Sequence, residues 1–210
     1  MQRIVIFDMD GTLIDSKKDI TISINYIRDL HHNLPPLKED FVVEAINLEV
    51  RNLPKLFYAT ETYEERDRVV FEKHYAQQCT QNPYLYEGVL EMLESLEKAD
   101  VKLAVATNAP TPFAKLMLDS LGVKDKFGII IGADKVASSK PNPEMLFKIL
   151  DFYNYDASKD KAWMVGDNSK DILSAQNAGI DSFFVTWGFS PTTEFENKIE
   201  KPEELLRAIL

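Results

Sequence analysis

Residues 4–16 read IVIFDMDGTLIDS, four apolar side chains running directly into Asp8 and Asp10 with one residue between the two acids. A core strand that ends on paired carboxylates is costly unless something offsets their repulsion. In parallel α/β sheets ligands bind beyond the carboxyl ends of strands, which is where this pair falls. The single-residue spacing lets both side chains point toward one pocket while Met9 turns away into the core. Gly11 permits a close approach or an unusual dihedral, and Thr12 can cap the next turn or hydrogen-bond a carboxylate. A divalent cation would allow both acids to stay ionised. An ordinary aspartate turn would account for the same letters, so the pair gains meaning only from a second site.

That second site lies at AWMVGDNSKDILSAQNAG, where another apolar run enters Gly166 and Asp167, with Asp171 four residues further on. With a helix starting near Asn168 or Ser169, Asp167 sits at its mouth and Asp171 faces back along its first turn. Hard oxygen donors at such positions suit Mg²⁺, although Asp171 would serve equally as compensation for the helix dipole. After VKLAVA, Thr107 and Asn108 stand where a strand hands over to a helix and could cradle a phosphoryl oxygen. SSKPNPEM places Lys140 ahead of Pro141 and Pro143. A loop lysine is ordinarily solvated, but one held between rigid turns could offer its charge to a carboxylate and a phosphoryl group together.

Short apolar runs alternate with helically spaced segments around these motifs. Strands are expected at 3–7, 101–106, 128–131, 162–165 and 182–186. Their near-continuous apolarity indicates burial on both faces, as in a parallel sheet covered by helices. GVLEMLESLEKA sets Val89, Met92, Leu93 and Leu96 on one stripe, Gly122 and Gly179 end two further helices, and Asn142 with Pro143 opens another. This βαβα alternation predicts an α/β fold, a three-layer Rossmann-like parallel sheet. Residues 16–83 break the rhythm with helical signals and no strand, over a span far longer than a crossover. Within them Thr62 and Glu65 have capping-box spacing ahead of a run to about Gln78. The predicted division is a core of 1–15 and 84–210, with a small helical cap domain of 16–83 inserted after the first strand. Such an insert is tolerated because closure entropy grows slowly with loop length. KPEELLRAIL reads as a closing helix packed through Leu205, Leu206 and Ile209.

Of the 210 residues 45% are hydrophobic, enough for a substantial core, and the net charge is -10. With no block of lysine or arginine, a nucleic-acid polymer is a poor partner. The single cysteine, Cys79, excludes an intramolecular disulfide and an all-thiolate metal site. No apolar run is long enough to span a bilayer, and no basic-then-apolar leader precedes the first strand, so no membrane partner and a cytoplasmic location are expected. His31, His32 and His74 have no metal-ligand spacing with one another and are expected on the cap surface.

In order, the four motifs resemble those of the haloacid-dehalogenase-like superfamily. Its Asp-x-Asp-x-Thr corresponds to Asp8–Thr12, its strand-end Ser or Thr to Thr107, its lysine with Pro-x-Pro to Lys140–Pro143, and its Gly-Asp-x-x-x-Asp to Gly166–Asp171. The resemblance spans essentially the whole chain, with the helical insert where the family carries its cap. It implies that Asp8 is a nucleophile forming an aspartyl-phosphate and that Asp10 is the general acid and then base. It implies further that Thr107, Asn108 and Lys140 hold the phosphoryl group. Mg²⁺ would be held by Asp8, the backbone carbonyl of Asp10, Asp167 and, through water, Asp171. Asp10 separates the chain from the dehalogenase branch, which lacks this aspartate and has no alkoxide to protonate.

The phrases FDMDGTLIDS, TNAP and SSKPNPEM look most similar to small phosphatases of the phosphoglycolate phosphatase type, acting on a small phosphorylated metabolite as a monomer or homodimer. In such enzymes cap residues choose the substrate. Arg51 and Lys55 in EVRNLPKLFYA are the candidates to meet a substrate carboxylate or second phosphate. This segment lacks the glycine-rich phrase that glycolate enzymes and sugar phosphomutases often carry there. A phosphomutase of the β-phosphoglucomutase type shares the fold and nucleophile and is the alternative. A phosphonate hydrolase would need a cap lysine, for which Lys17 and Lys18 are available, but the sequence after them lacks that branch's character. A non-catalytic binding protein on this fold would be expected to have lost Asp8, Asp10 or Asp167, and all three are present.

Overall fold

The apolar runs lie side by side in the computed structural model, which describes residues 1–48, 52–190 and 195–210. At the centre is β1 (Arg3–Phe7), flanked by β4 (Lys102–Ala106) and β6 (Lys161–Gly166). Beyond β4 lies β5 (Ile129–Ile131); beyond β6 lie β7 (Asp181–Val185) and then β8 (Lys198–Ile199). Every pairing in this sheet is parallel. The two remaining strands, β2 (Ile14–Asp15) and β3 (Tyr84–Leu85), are two residues long.

Chain order places β4 and β5 on one side of β1 and β6 to β8 on the other, so the order reverses between β1 and β6. A crevice at the strand ends is expected at such a reversal. Register then sets the level: Phe7 pairs with both Val105 and Val165. The residues following β1, β4 and β6 therefore emerge side by side. On one face Ile4, Ile6, Ala104 and Met164 pack with Met145, Leu146 and Ile149 of α7 (Glu144–Phe152) and Ala175 of α8 (Ser169–Ala178). Val5 and Phe7 point to the other face and are equally buried, so β1 is covered on both sides as its apolar run requires.

The other core helices are α5 (Val89–Lys98), α6 (Thr111–Ser120) and α9 (Pro202–Ile209). Val89, Met92, Leu93 and Leu96 are buried as their spacing predicts, and so are Leu205 and Ile209. Each predicted strand is present with its ends displaced by no more than one residue. β2, β3 and β8 have no counterpart among the expectations, because two residues carry no periodic signal.

The chain divides into two compact units, Met1–Asp15 with Leu85–Leu210, and Ser16–Tyr84. The second is helical, with α1 (Lys17–His32), α2 (Glu39–Asn47), α3 (Leu53–Tyr58) and α4 (Glu65–Gln78). Its own core gathers Ile24, Ile27, Val42, Ala45, Phe57 and Tyr58. The capping box expected from Thr62 and Glu65 does not form. The N-cap of α4 is Glu64, without a side-chain cap, and the Thr62 carbonyl accepts from Thr60 Oγ1. The histidines also depart from expectation: they are half-buried and structural. His31 Nδ1 and His32 Nε2 lie 2.6 and 2.8 Å from the two oxygens of buried Asp67, and His74 bonds Ser23 Oγ at 3.0 Å. Burial alone would raise the Asp67 proton affinity, but the two histidines outweigh it and hold the carboxyl below its ordinary range.

Candidate active site

Asp8 leaves β1 with its N–H still bonded to the Val165 carbonyl at 2.8 Å, so its side chain is launched from the sheet rather than from a loose turn. Met9 is fully buried, and its carbonyl accepts the N–H groups of Leu13 and Ile14, closing the loop that carries Asp8 and Asp10. At the end of β6, Asn168 caps α8. Its side chain accepts from the helix N-terminus, while its own N–H donates to Asp171 Oδ2 at 3.1 Å, completing a capping box. Asp171 is thereby turned back toward β1.

Oxygens of Asp8, Asp167 and Asp171 lie within 4.8 Å of one another, the one such acidic group found among the described residues. The Asp10 carboxylate does not belong to it. Lys140 supplies the counter-charge: its Nζ donates to Asp8 Oδ1 at 2.7 Å, Asp171 Oδ1 at 2.6 Å and the Ala106 carbonyl at 2.6 Å. All three donors of the ammonium are used in a buried site. Burial lowers the proton affinity of Lys140, but the charges of Asp171 and Asp8 outweigh it and the net shift is upward. Burial, with the charges of Asp8 and Asp171, lifts Asp167 well above the ordinary carboxylate range. Burial pushes Asp171 up to about 6 against the opposing pull of Lys140.

The glycines of both motifs are spacers. A Cβ on Gly11 would overlap the Asp167 carboxylate, and one on Gly166 would overlap that of Asp171. Gly11 also has φ near +86°, so both uses foreseen for it apply at once. Thr12 Oγ1 donates to Asp167 Oδ1 at 3.3 Å.

Thr107 is buried at the end of β4, and its hydroxyl accepts from the Ala109 N–H at 3.1 Å. Asn108 clamps the Lys140 main chain: its Oδ1 accepts the Lys140 N–H at 3.0 Å and its Nδ2 donates to the Lys140 carbonyl at 3.1 Å. Its side-chain contacts thus fix the lysine. Of the two cap candidates, Arg51 lies outside the described residues, and Lys55 on α3 is exposed and paired with Glu61 at 2.9 Å. Sequence inspection missed Phe189, whose N–H donates to Asp167 Oδ2 at 2.8 Å. A glycine between two aromatics just past β7 was the available signal.

The model of the haloacid dehalogenase-like hydrolases matches residues 5–185, from the first strand of the sheet through β7. The chain belongs to this family. Among curated relatives, a phosphoglycolate phosphatase of Colwellia psychrerythraea is 32% identical over 203 residues, covering 90% of this chain and 86% of that one. An N-acetylmuramic acid 6-phosphate phosphatase of Pseudomonas putida is 30% identical over 216 residues, covering 99% and 96%. A solved haloacid dehalogenase-like hydrolase from Streptococcus pneumoniae superposes with a TM-score of 0.81 at 21% identity, covering 100% of this chain and 99% of that chain. The buried acidic cluster fits a divalent cation in charge and donor type. Three carboxylates against one ammonium leave two negative charges in excess, all on hard oxygen donors.

Proposed function

We propose that this chain is a Mg²⁺-dependent phosphatase that hydrolyses a small phosphate monoester through an aspartyl-phosphate on Asp8, with phosphoglycolate the first candidate substrate. The observation that carries this is the Lys140 ammonium spanning Asp8 and Asp171 at the sheet's reversal point, beside Asp167. The cation would be held by Asp8, the backbone carbonyl of Asp10, Asp167 and, through water, Asp171. When bound, it neutralises charge on the transferring phosphoryl group.

An Asp8 carboxylate oxygen forms a bond to phosphorus as the ester P–O bond breaks, and Asp10 gives the leaving oxygen its proton. Asp10 then takes a proton from the water that attacks the aspartyl-phosphate, releasing inorganic phosphate and restoring Asp8. Lys140 offsets charge on Asp8 throughout, and Asn108 holds that lysine in place. Thr107 offers a hydroxyl beside the phosphoryl position. The helical unit of residues 16–84 is where substrate choice would reside. A phosphate-release screen over phosphoglycolate, N-acetylmuramic acid 6-phosphate, sugar phosphates, nucleoside monophosphates and pyrophosphate tests this. Release only in the presence of a sugar bisphosphate primer would point instead to a phosphomutase.

Chelation should abolish turnover, and Mg²⁺ should restore it. The raised proton affinities of Asp167 and Asp171 mean that protons must leave before a cation can bind. Apparent Mg²⁺ affinity should therefore weaken as pH falls, including through about 6 where Asp171 takes up its proton, by roughly tenfold per pH unit for each proton displaced. Metal titrations at pH 5.5, 6.5 and 7.5 would measure this, and a pH-independent affinity would contradict it. Gly11→Ala should cost about 10²-fold in turnover, because the added carbon must displace the Asp167 carboxylate. Steady-state kinetics alongside a near-UV CD spectrum would separate this loss from unfolding.

A further inference from the structure

Directly after β7 the chain turns back over the acidic cluster as Trp187–Gly188–Phe189. Three independent contacts tie it there. Trp187 Nε1 donates to the Thr12 carbonyl at 3.0 Å, and the Phe189 N–H donates to Asp167 Oδ2 at 2.8 Å. Between them, Gly188 lies so close that an added Cβ would overlap the Gly11 carbonyl and come within 2.6 Å of Asp167 Oδ2. Thr12 and Asp167 are themselves joined by a hydrogen bond. The strap therefore touches the loop after β1 and the acid after β6 at the same time.

We propose that Trp187, Gly188 and Phe189 form a positioning strap that holds Asp167 against the Asp8 loop in the orientation a divalent cation needs, so that cation affinity depends on it. This rests on the cation-dependent phosphatase assignment above. Asp167 needs such a device because it is a buried acid beside two others, and repulsion would otherwise turn it away from Asp8. A donor fixed in the main chain orients the carboxylate without adding a charge. Partners that orient a metal ligand in this way typically change affinity by about 10–100-fold when removed. Gly188 belongs to the device because only a residue without a side chain lets the backbone approach that closely.

The test uses Mn²⁺ as the probe, with the free ion followed by electron paramagnetic resonance as it is titrated into the metal-free protein. Gly188→Ala lifts the strap, and Trp187→Phe keeps an aromatic side chain while removing the N–H. Each should bind Mn²⁺ at least tenfold more weakly than the unaltered protein, with the turnover defect shrinking as the metal is raised. Gly179→Ala is the control: its φ of +72° makes the substitution a backbone strain, but nothing lies within 4 Å of the new carbon, so Mn²⁺ affinity should not change. Should Gly188→Ala fail to fold, Trp187→Phe alone decides. Folded variants that bind Mn²⁺ within twofold of the unaltered protein, while that protein binds the ion and releases phosphate, would overturn the strap and leave the phosphatase standing. An unaltered protein that neither binds Mn²⁺ nor releases phosphate would remove both.

Discussion

If Asp8 is the nucleophile proposed above, Asp8→Asn is expected to abolish turnover, with a loss of about 10⁴-fold or more. The amide fills the same space and its oxygen can still accept from Lys140 Nζ, so the loop after β1 keeps its shape. A neutral amide is too weak a nucleophile to attack phosphorus and form the acyl phosphate. One negative charge leaves a cluster of three carboxylates, so repulsion on Asp167 and Asp171 falls and the metal-free protein should melt no lower than before. Stopped-flow turnover and a thermal melt of the same preparation give both halves. Turnover within a hundredfold of the unaltered enzyme, in material shown by mass spectrometry to be free of deamidated product, would remove Asp8 from the nucleophile's role.

Lys140→Met carries the second largest effect, and it acts on stability as well as chemistry. The substitution leaves Asp8, Asp171 and the Ala106 carbonyl without the donor that now bonds all three. Removing one partner from a buried ion pair typically costs about 3–5 kcal/mol, and a loss of that order is expected for the metal-free protein at neutral pH. The sign of its pH dependence is diagnostic. Without the ammonium the carboxylates hold protons more tightly in the folded than in the unfolded state, so the variant should gain stability as pH falls from 7 toward 5. Urea titrations at the two pH values would show this. Turnover should fall as well, since the ammonium that offsets charge on Asp8 would be gone. A variant as stable as the unaltered protein at pH 7 would mean that the three contacts of Lys140 contribute little.

The route to the site shows which parts of it the letters carry. Asp8 and Asp10 were visible because a run of buried β-formers ending in two acids has few inexpensive explanations. Gly166-Asp167 followed by Asp171 repeated the arrangement with a helix start, and the capping box at Asn168 and Asp171 makes that start explicit. The helical insert was visible as a long span with no strand signal. Thr62 and Glu65 misled because a capping-box spacing says nothing about which residue leaves the helix first; Glu64 does. The histidines misled for a different reason. His31 and His32 are adjacent in sequence, and their shared partner, Asp67, is supplied from another helix.

Sequence alone determined the strand-to-acid junctions, the parallel sheet and the insert, because each depends on the periodicity and turn chemistry of neighbouring residues. Only the tertiary structure decided who pairs with whom. Lys140 reaches Asp8 across 132 residues and Asp171 across 31, Asn108 reaches Lys140 across 32, and Phe189 reaches Asp167 across 22. Those partnerships follow from the order and register of β1, β4 and β6, which bring separate strand ends to one level. Hydrophobic patterning shows that a strand is buried and leaves open which strand lies beside it.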